Sequence, residues 1–276
     1  MSVDLNPQAE QMGDESMTRT LDFQAQAIWP QEQALFARYG LKGKLRILDL
    51  GCGTGEITRR LAALYPQAEL LGVDILEGNL AIARLRDAAL APRVSYAQGD
   101  AFALEAPDAF FDLVACRHMS QCVPHFERVL AEITRVLKPG GQLHLLSEDY
   151  AMLHMPRHGA RKPERLWIET ALPFLDSTGC DGAVGRHSPA LLQEAGYSDI
   201  TMDYVVVDTL RVPRPIFAGI LTAWRDGYVA PLSASSGRSE EDVRADFDAI
   251  LHAIETPPNY AVWQVPVVAG KRAGSL

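Results

Sequence analysis

The sequence predicts an α/β fold with a largely parallel sheet covered by helices on both faces, and three features carry that prediction. Strand-like runs alternate with helix-like stretches from residue 46 to residue 146, an order that requires parallel pairing through right-handed crossovers. The runs are apolar along most of their length rather than at alternate positions, so the sheet is buried on both sides. A glycine-rich turn joins the first run directly to a helix, as in sheets that bind ligands at their carboxyl ends.

Residues 1–16 read as loosely attached. From Met17, apolar residues at Leu21, Ala25 and Ile28 recur at helical spacing. Pro30 interrupts them and suits the first position of a second helix, which runs to Tyr39 and stops at Gly40. Strands are predicted at Arg46 to Leu50, Glu69 to Val73, Val94 to Ala97, Phe111 to Cys116 and Gln142 to Leu146. Helices are predicted at Gly55 to Leu64, Leu76 to Leu90 and His125 to Val136. Leu137 to Gly141 reads as a turn.

Past Ser147 the alternation fails. Residues 150–186 contain prolines and aromatics and no strand signal. Ser188 caps a helix to Ala195, with Pro189 in its first turn. Ile200 to Val207 is a sixth strand. A second insertion spans 210–258, with helices at Pro215 to Tyr228 and Ser239 to Ile254 around a Ser/Gly-rich loop from Ser233 to Ser239. Tyr260 to Val268 is a final apolar strand.

The charge is −9, which repels phosphate backbones and argues against a nucleic-acid partner. No apolar run is long enough to span a bilayer, and the polar, acidic segment Met1 to Asp14 is unlike a signal peptide. A cytoplasmic location without membrane contact is the expectation. The cysteines, Cys52, Cys116, Cys122 and Cys180, lack the spacing of a zinc site and read as reduced thiols. No metal is expected.

The chemistry concentrates in Asp49-x-Gly51-x-Gly53-x-Gly55. Glycines at alternate positions allow a tight turn and close ligand approach, and the helix that follows turns its first amides toward the ligand. The spacing differs from that of dinucleotide sites. The carboxylate of Asp49 repels phosphate and attracts a cation, directly or through water. S-Adenosylmethionine carries two cationic groups, a sulfonium and an ammonium. Asp74 ends the second strand, where an acid can hold ribose hydroxyls or cap the next helix. Gly99-Asp100-Ala101-Phe102 follows the third strand. Its carboxylate can accept from an adenine amino group and a backbone amide there can donate to a ring nitrogen, or the segment is a plain turn.

With these motifs in this order, the chain resembles the class I S-adenosylmethionine-dependent methyltransferases, in particular the small-molecule group similar to ubiquinone-biosynthesis methyltransferases. The resemblance covers residues 43–147 well, and 187–208 and 260–270 more loosely. It implies a Rossmann-like, seven-stranded sheet with an antiparallel last strand and S-adenosylmethionine as cofactor. The implied cofactor residues are Asp49, Gly51, Cys52, Gly53, Gly55, Asp74, Ile75, Asp100, Ala101, Phe102 and Arg117. The resemblance also implies a division into an N-terminal helical cap (1–42), a cofactor-binding core (43–149, 187–209 and 259–276) and two lid insertions (150–186 and 210–258). The signature of enzymes that methylate nucleic-acid bases is missing after the fourth strand, where Arg117-His118-Met119 stands instead.

Residues just after the fourth and fifth strands lie near the transferred methyl in such a sheet. His118, Glu148 and Asp149 are the candidate catalytic groups, any of which can take a proton from the acceptor. His118 equally suits a backbone-bonding or lining role, and the two acids an exposed turn. Neighbours on a strand point to opposite faces, so one of Glu148 and Asp149 reaches the pocket. Tyr150, His154, Trp224 and Tyr228 are candidate substrate contacts, with His158 beside them. His144 reads as a satisfied core histidine. The expected activity is methyl transfer to nitrogen or oxygen of a small molecule. The alternatives are a protein that binds the cofactor without methylating, and an NAD-dependent oxidoreductase. The sequence leaves the oligomeric state open.

Overall fold

The structure, a computed structural model, describes residues 5–156, 162–163 and 165–274. Its eight-stranded sheet comprises β1 (Arg46–Leu50), β2 (Glu69–Asp74), β3 (Val94–Gln98), β4 (Phe111–Arg117), β5 (Leu137–Leu146), β6 (Leu153–His154), β7 (Tyr197–Asp208) and β8 (Val262–Arg272). The order is β3-β2-β1-β4-β5-β8-β6, with β7 also paired to β8. Strands β1 to β5 pair in parallel. β8 runs antiparallel to β5, β6 and β7. The two-residue β6 was not visible in the sequence, since Leu153–His154 is too short to show a period.

Both sheet faces are covered, as the apolar strands require. Leu48, Leu50, Val114, Leu143 and Leu145 pack on one face with α5 (Phe126–Val136) and α7 (Val184–Glu194). Ile47, Leu70, Leu113 and Ala115 pack on the other with α2 (Glu15–Arg38) and α3 (Glu56–Leu64). α4 (Glu77–Arg86) links β2 to β3. A third core joins α2 to α6 (Leu172–Thr178), α8 (Arg214–Ser236), α9 (Glu240–Glu255) and β6 to β8. No described helix is long and apolar enough to cross a membrane.

Four local expectations are corrected. Residues 5–16 are tied down. α1 (Ala9–Met12) precedes an N-cap at Asp14, which accepts from the Ser16 amide, and Gln8 is buried, donating to the Gln121 carbonyl. Pro30 lies inside a single helix, α2, instead of starting a second. The lost backbone bond is outweighed by burial of Ile28, Glu32 and Phe36 on either side of it. The helix expected from Ser188 begins at Val184, and the Ser188 hydroxyl donates to the Val184 carbonyl. The Ser/Gly loop shrinks because α8 continues to Ser236 and Gly237 ends it in the left-handed conformation.

α2 is fastened to the sheet by a buried ionic cluster. Glu32 Oε1 accepts from Arg117 Nε at 2.6 Å and from His144 Nε2 at 2.9 Å. His144 Nδ1 accepts from the Tyr39 hydroxyl at 2.7 Å, and its ring stacks on Phe36. This is the satisfied core histidine that the strand position suggested. Burial alone would raise the Glu32 carboxyl, but the Arg117 charge and the His144 hydrogen bond outweigh it and hold it at about 2. Replacing Glu32 with Ala leaves the Arg117 charge buried and uncompensated, which is expected to cost about 3–5 kcal/mol in urea unfolding. Glu32 is depressed in the folded chain from its ordinary 4.5, so its contribution is complete above pH 4.5 and lost as the pH falls through 2. The wild type is therefore expected to lose stability more steeply than Glu32→Gln over that interval.

Candidate active site

The carboxyl ends of β1, β2, β4 and β5 open into a cavity. Its floor is the turn after β1. Gly51, Gly53 and Gly55 all take positive φ, at 72°, 52° and 76°. A Cβ on Gly53 would lie 2.7 Å from Leu21 Cδ1, and one on Gly55 2.4 Å from the Tyr96 hydroxyl, so neither glycine admits a side chain without strain. The turn is held by Asp74, whose Oδ2 accepts from the Gly53 amide at 2.7 Å and whose Oδ1 accepts from the Leu76 amide at 2.9 Å. Asp74 thus caps the approach to α4 while its remaining lone pairs line the cavity. Burial raises its carboxyl against the backbone bonds that lower it.

Of the other residues expected around a cofactor, Gly51, Gly53, Ile75, Ala101 and Arg117 line the cavity. Asp49, Cys52, Gly55, Asp100 and Phe102 do not. Asp49 lies just behind the turn, accepting from the Thr58 hydroxyl at 2.6 Å, and burial pushes it to about 6. Burial also raises the Cys52 thiol, so it is inert. Asp100 folds onto the Phe102 amide and shapes the loop that carries Ala101.

The candidate catalytic groups separate. His118 adopts φ 52°, and its amide donates to the Leu146 carbonyl. Its Nδ1 lies 2.8 Å from Glu148 Oε1, and Glu148 Oε2 accepts from Trp263 Nε1 at 3.1 Å. A carboxylate only accepts, so Nδ1 carries the proton. Nε2 is buried with no hydrogen-bond partner among the described residues, and His118 and Glu148 both line the cavity. Asp149, beyond the end of β5, turns away into a bidentate bond with Arg186 and a cap on the Ala151 amide.

Tyr150, Trp224 and Tyr228 line the far end with Trp167, Phe174 and Phe247. His154 is exposed on β6 and stands apart from the cavity, and His158 lies outside the described residues. Sequence reasoning missed Thr20 and Gln24, which enter the cavity from α2, and Trp263. The signal for the first two was present, since polar residues at 20 and 24 share the stripe of Met17 and Ile28. Among the described residues no three His, Cys, Asp or Glu side chains are grouped to hold a metal ion.

The turn that a Cβ would block, the acid at the end of β2 and the unpartnered polar atoms in the wall suit an adenosine bearing a charged amino-acid tail. Comparison with known proteins agrees. A methyltransferase-domain family matches residues 47–141. Demethylmenaquinone methyltransferase of Thermus thermophilus is 34% identical over 159 residues, covering 58% of this chain and 70% of that protein. The ubiquinone/menaquinone biosynthesis C-methyltransferase of Yersinia pestis is 40% identical over 110 residues, 39% of this chain and 44% of the relative, so the chain spans less than half of that protein. Among solved structures, the [4+2]-cyclase SpnF superposes with a TM-score of 0.58 at 26% identity, covering 89% of this chain and 82% of the other. The chain belongs to the class I S-adenosylmethionine-dependent methyltransferase family.

Proposed function

We propose that this chain methylates a small, largely apolar acceptor, with His118 as the general base and Glu148 as the group that orients it. The observation that carries this reading is His118 Nε2, buried in the wall with no partner among the described residues, and the opposite ring nitrogen bonded to a carboxylate. S-Adenosylmethionine supplies an electrophilic methyl group on a sulfonium. The glycine turn and Asp74 would hold its adenosine, and Ala101 would line the base. The protein's remaining work is to present a nucleophile in line, exclude water and take up the proton that the nucleophile sheds.

The far end of the cavity defines the acceptor. Trp167, Phe174, Trp224, Tyr228 and Phe247 offer stacking surfaces. Such a wall suits a flat, neutral ring bearing a hydroxyl or amine that loses its proton on methylation. Deprotonating a phenol-type hydroxyl activates both its oxygen and the adjacent ring carbon. The base therefore serves oxygen and carbon acceptors alike, which widens the nitrogen-or-oxygen expectation in the direction of the C-methyltransferase relative. Helices α6, α8 and α9 and the start of α2 pack together around this end.

A second reading, a reaction other than methyl transfer on the same scaffold, is favoured by the likeness to a structure named as a cyclase. Formation of S-adenosylhomocysteine from S-adenosylmethionine in the presence of acceptor separates the two.

In calorimetry Asp74→Ala is expected to weaken S-adenosylhomocysteine binding by about 1.5–3 kcal/mol. In a screen of hydroxylated and amino aromatics, His118→Asn and Glu148→Gln should each lower turnover about 100-fold or more, with that affinity unchanged. Near-normal turnover in both variants would mean that proximity alone drives the reaction. Trp263→Phe keeps an aromatic ring but removes the donor to Glu148 and leaves a cavity in its place, so urea unfolding should show a loss of about 2–4 kcal/mol.

A further inference from the structure

The aromatic end of the cavity carries a polar atom that the proposed reaction leaves unused. Trp167 lines the cavity and is only 3% exposed. Its Nε1 is buried with no hydrogen-bond partner among the described residues, whereas Trp263 gives its N–H to Glu148. An indole N–H can only donate. Buried without an acceptor it is costly in the isolated protein, and it becomes a binding group when a ligand brings one. Trp167 also opens a π-helical turn, Trp167–Ala171, a rare conformation that is frequent at functional sites. Its ring is set by contacts with Tyr150, Trp224 and Phe247, at centroid distances of 5.9, 6.0 and 6.1 Å.

The base end of the same wall has the complementary chemistry. His118 Nε2 is an acceptor, because Nδ1 donates to Glu148. Gln121 donates its amide nitrogen to the His118 carbonyl at 2.7 Å, which leaves Gln121 Oε1 as an acceptor, buried and without a partner among the described residues. Ring contacts join the two regions, from Trp167 to Trp224, from Trp224 to Trp263 and from Trp263 to His118. A ligand along this wall is asked for a donor at the base and an acceptor at Trp167. A simple phenol, at about 10, is a much weaker acid than an imidazolium, at about 6.5, so a neutral imidazole takes its proton only with help. A carbonyl conjugated with the hydroxyl through the ring gives that help, because the negative charge spreads to the carbonyl oxygen, where an N–H can meet it.

We propose that Trp167 selects acceptors in which a ring hydroxyl is conjugated with a carbonyl, its N–H bonding the carbonyl oxygen while the hydroxyl faces His118. The proposal rests on the methyl-transfer reading with His118 as base. In transfer to oxygen, the hydroxyl proton passes to His118 Nε2 and its bonding pair stays on the oxygen, shared through the ring with the carbonyl. An oxygen pair then forms the bond to the methyl carbon as the carbon–sulfur bond breaks, its electrons staying on sulfur. Trp167 stabilises the charge that reaches the carbonyl oxygen in between. Trp167 lies outside the segment matched by the methyltransferase-domain family, so on this account the selectivity belongs to the insertion and not to the cofactor-binding core.

Calorimetry with S-adenosylhomocysteine bound compares matched probes, 4-hydroxyacetophenone against 4-ethylphenol and 6-hydroxy-2-acetonaphthone against 6-ethyl-2-naphthol, which differ chiefly in the carbonyl. In at least one pair the wild type should bind the carbonyl compound about 10-fold or more tightly. The absorbance of that bound compound should show its hydroxyl ionising at a lower pH than in solution. Trp167→Phe should reduce the preference to about 2-fold or less and return the ionisation toward its solution value, with the affinity for S-adenosylhomocysteine unchanged. If Trp167→Phe does not fold, the wild-type preference still decides. No binding of the probes, equal affinity within both pairs, or a preference that Trp167→Phe retains would overturn the assignment to Trp167. Turnover of other aromatics that is lost in His118→Asn would then leave the methyl-transfer reading standing. Absence of wild-type turnover on every hydroxylated or amino aromatic in the screen would remove that reading, and the selectivity with it.

Discussion

One carboxylate, Glu32, fixes how the N-terminal helix meets the sheet. It takes Arg117 from the end of β4 and His144 from within β5 in the same interior, and a carboxylate in that position is sustained only while both partners stay in place. Alternation along the strands puts Asp49, Ala115, Arg117 and His144 on one sheet face, the face that α2 covers. Once Glu32 is docked, the helix register sets Leu21 over Gly53 and brings Thr20 and Gln24 to the cavity wall. The cavity is therefore a joint product of the sheet and a helix that precedes it in the chain.

The cavity divides its chemistry by position. Glycines in left-handed conformations and Asp74 occupy the floor, where a ligand must approach the backbone closely. The aromatic cover lies opposite, built from helices whose remaining faces form their own core. Between them stands the His118–Glu148 pair, steadied by a tryptophan from the last strand. His118 is, with Ala109, His125 and Asp199, one of the described residues other than glycine with positive φ, a conformation that recurs where a side chain must be aimed.

Much of this was legible in the sequence. The β1-to-β5 alternation, the glycine turn and Asp74 are local signals, and local signals survive without tertiary knowledge. What escaped depended on packing between distant segments. Pro30 looked like a break because its cost is local while the burial of Ile28, Glu32 and Phe36 is not. Residues 5–16 looked loose because their anchors, Gln121 and Tyr228, lie far along the chain. Choosing between Glu148 and Asp149 needed the true phase of the strand end and the position of Arg186. Trp263 carried no signal of its own, since an apolar strand gives no hint of where one indole N–H will point.

The central claim is that the sheet ends and the N-terminal helix together form one S-adenosylmethionine site. Hydrogen exchange with and without saturating S-adenosylhomocysteine tests it most directly. The account predicts slower exchange in the glycine turn at residues 51–55, at 74–77 after β2 and in α2 around residues 20–24. Protection confined to the sheet ends, with α2 exchanging identically in both states, would contradict it.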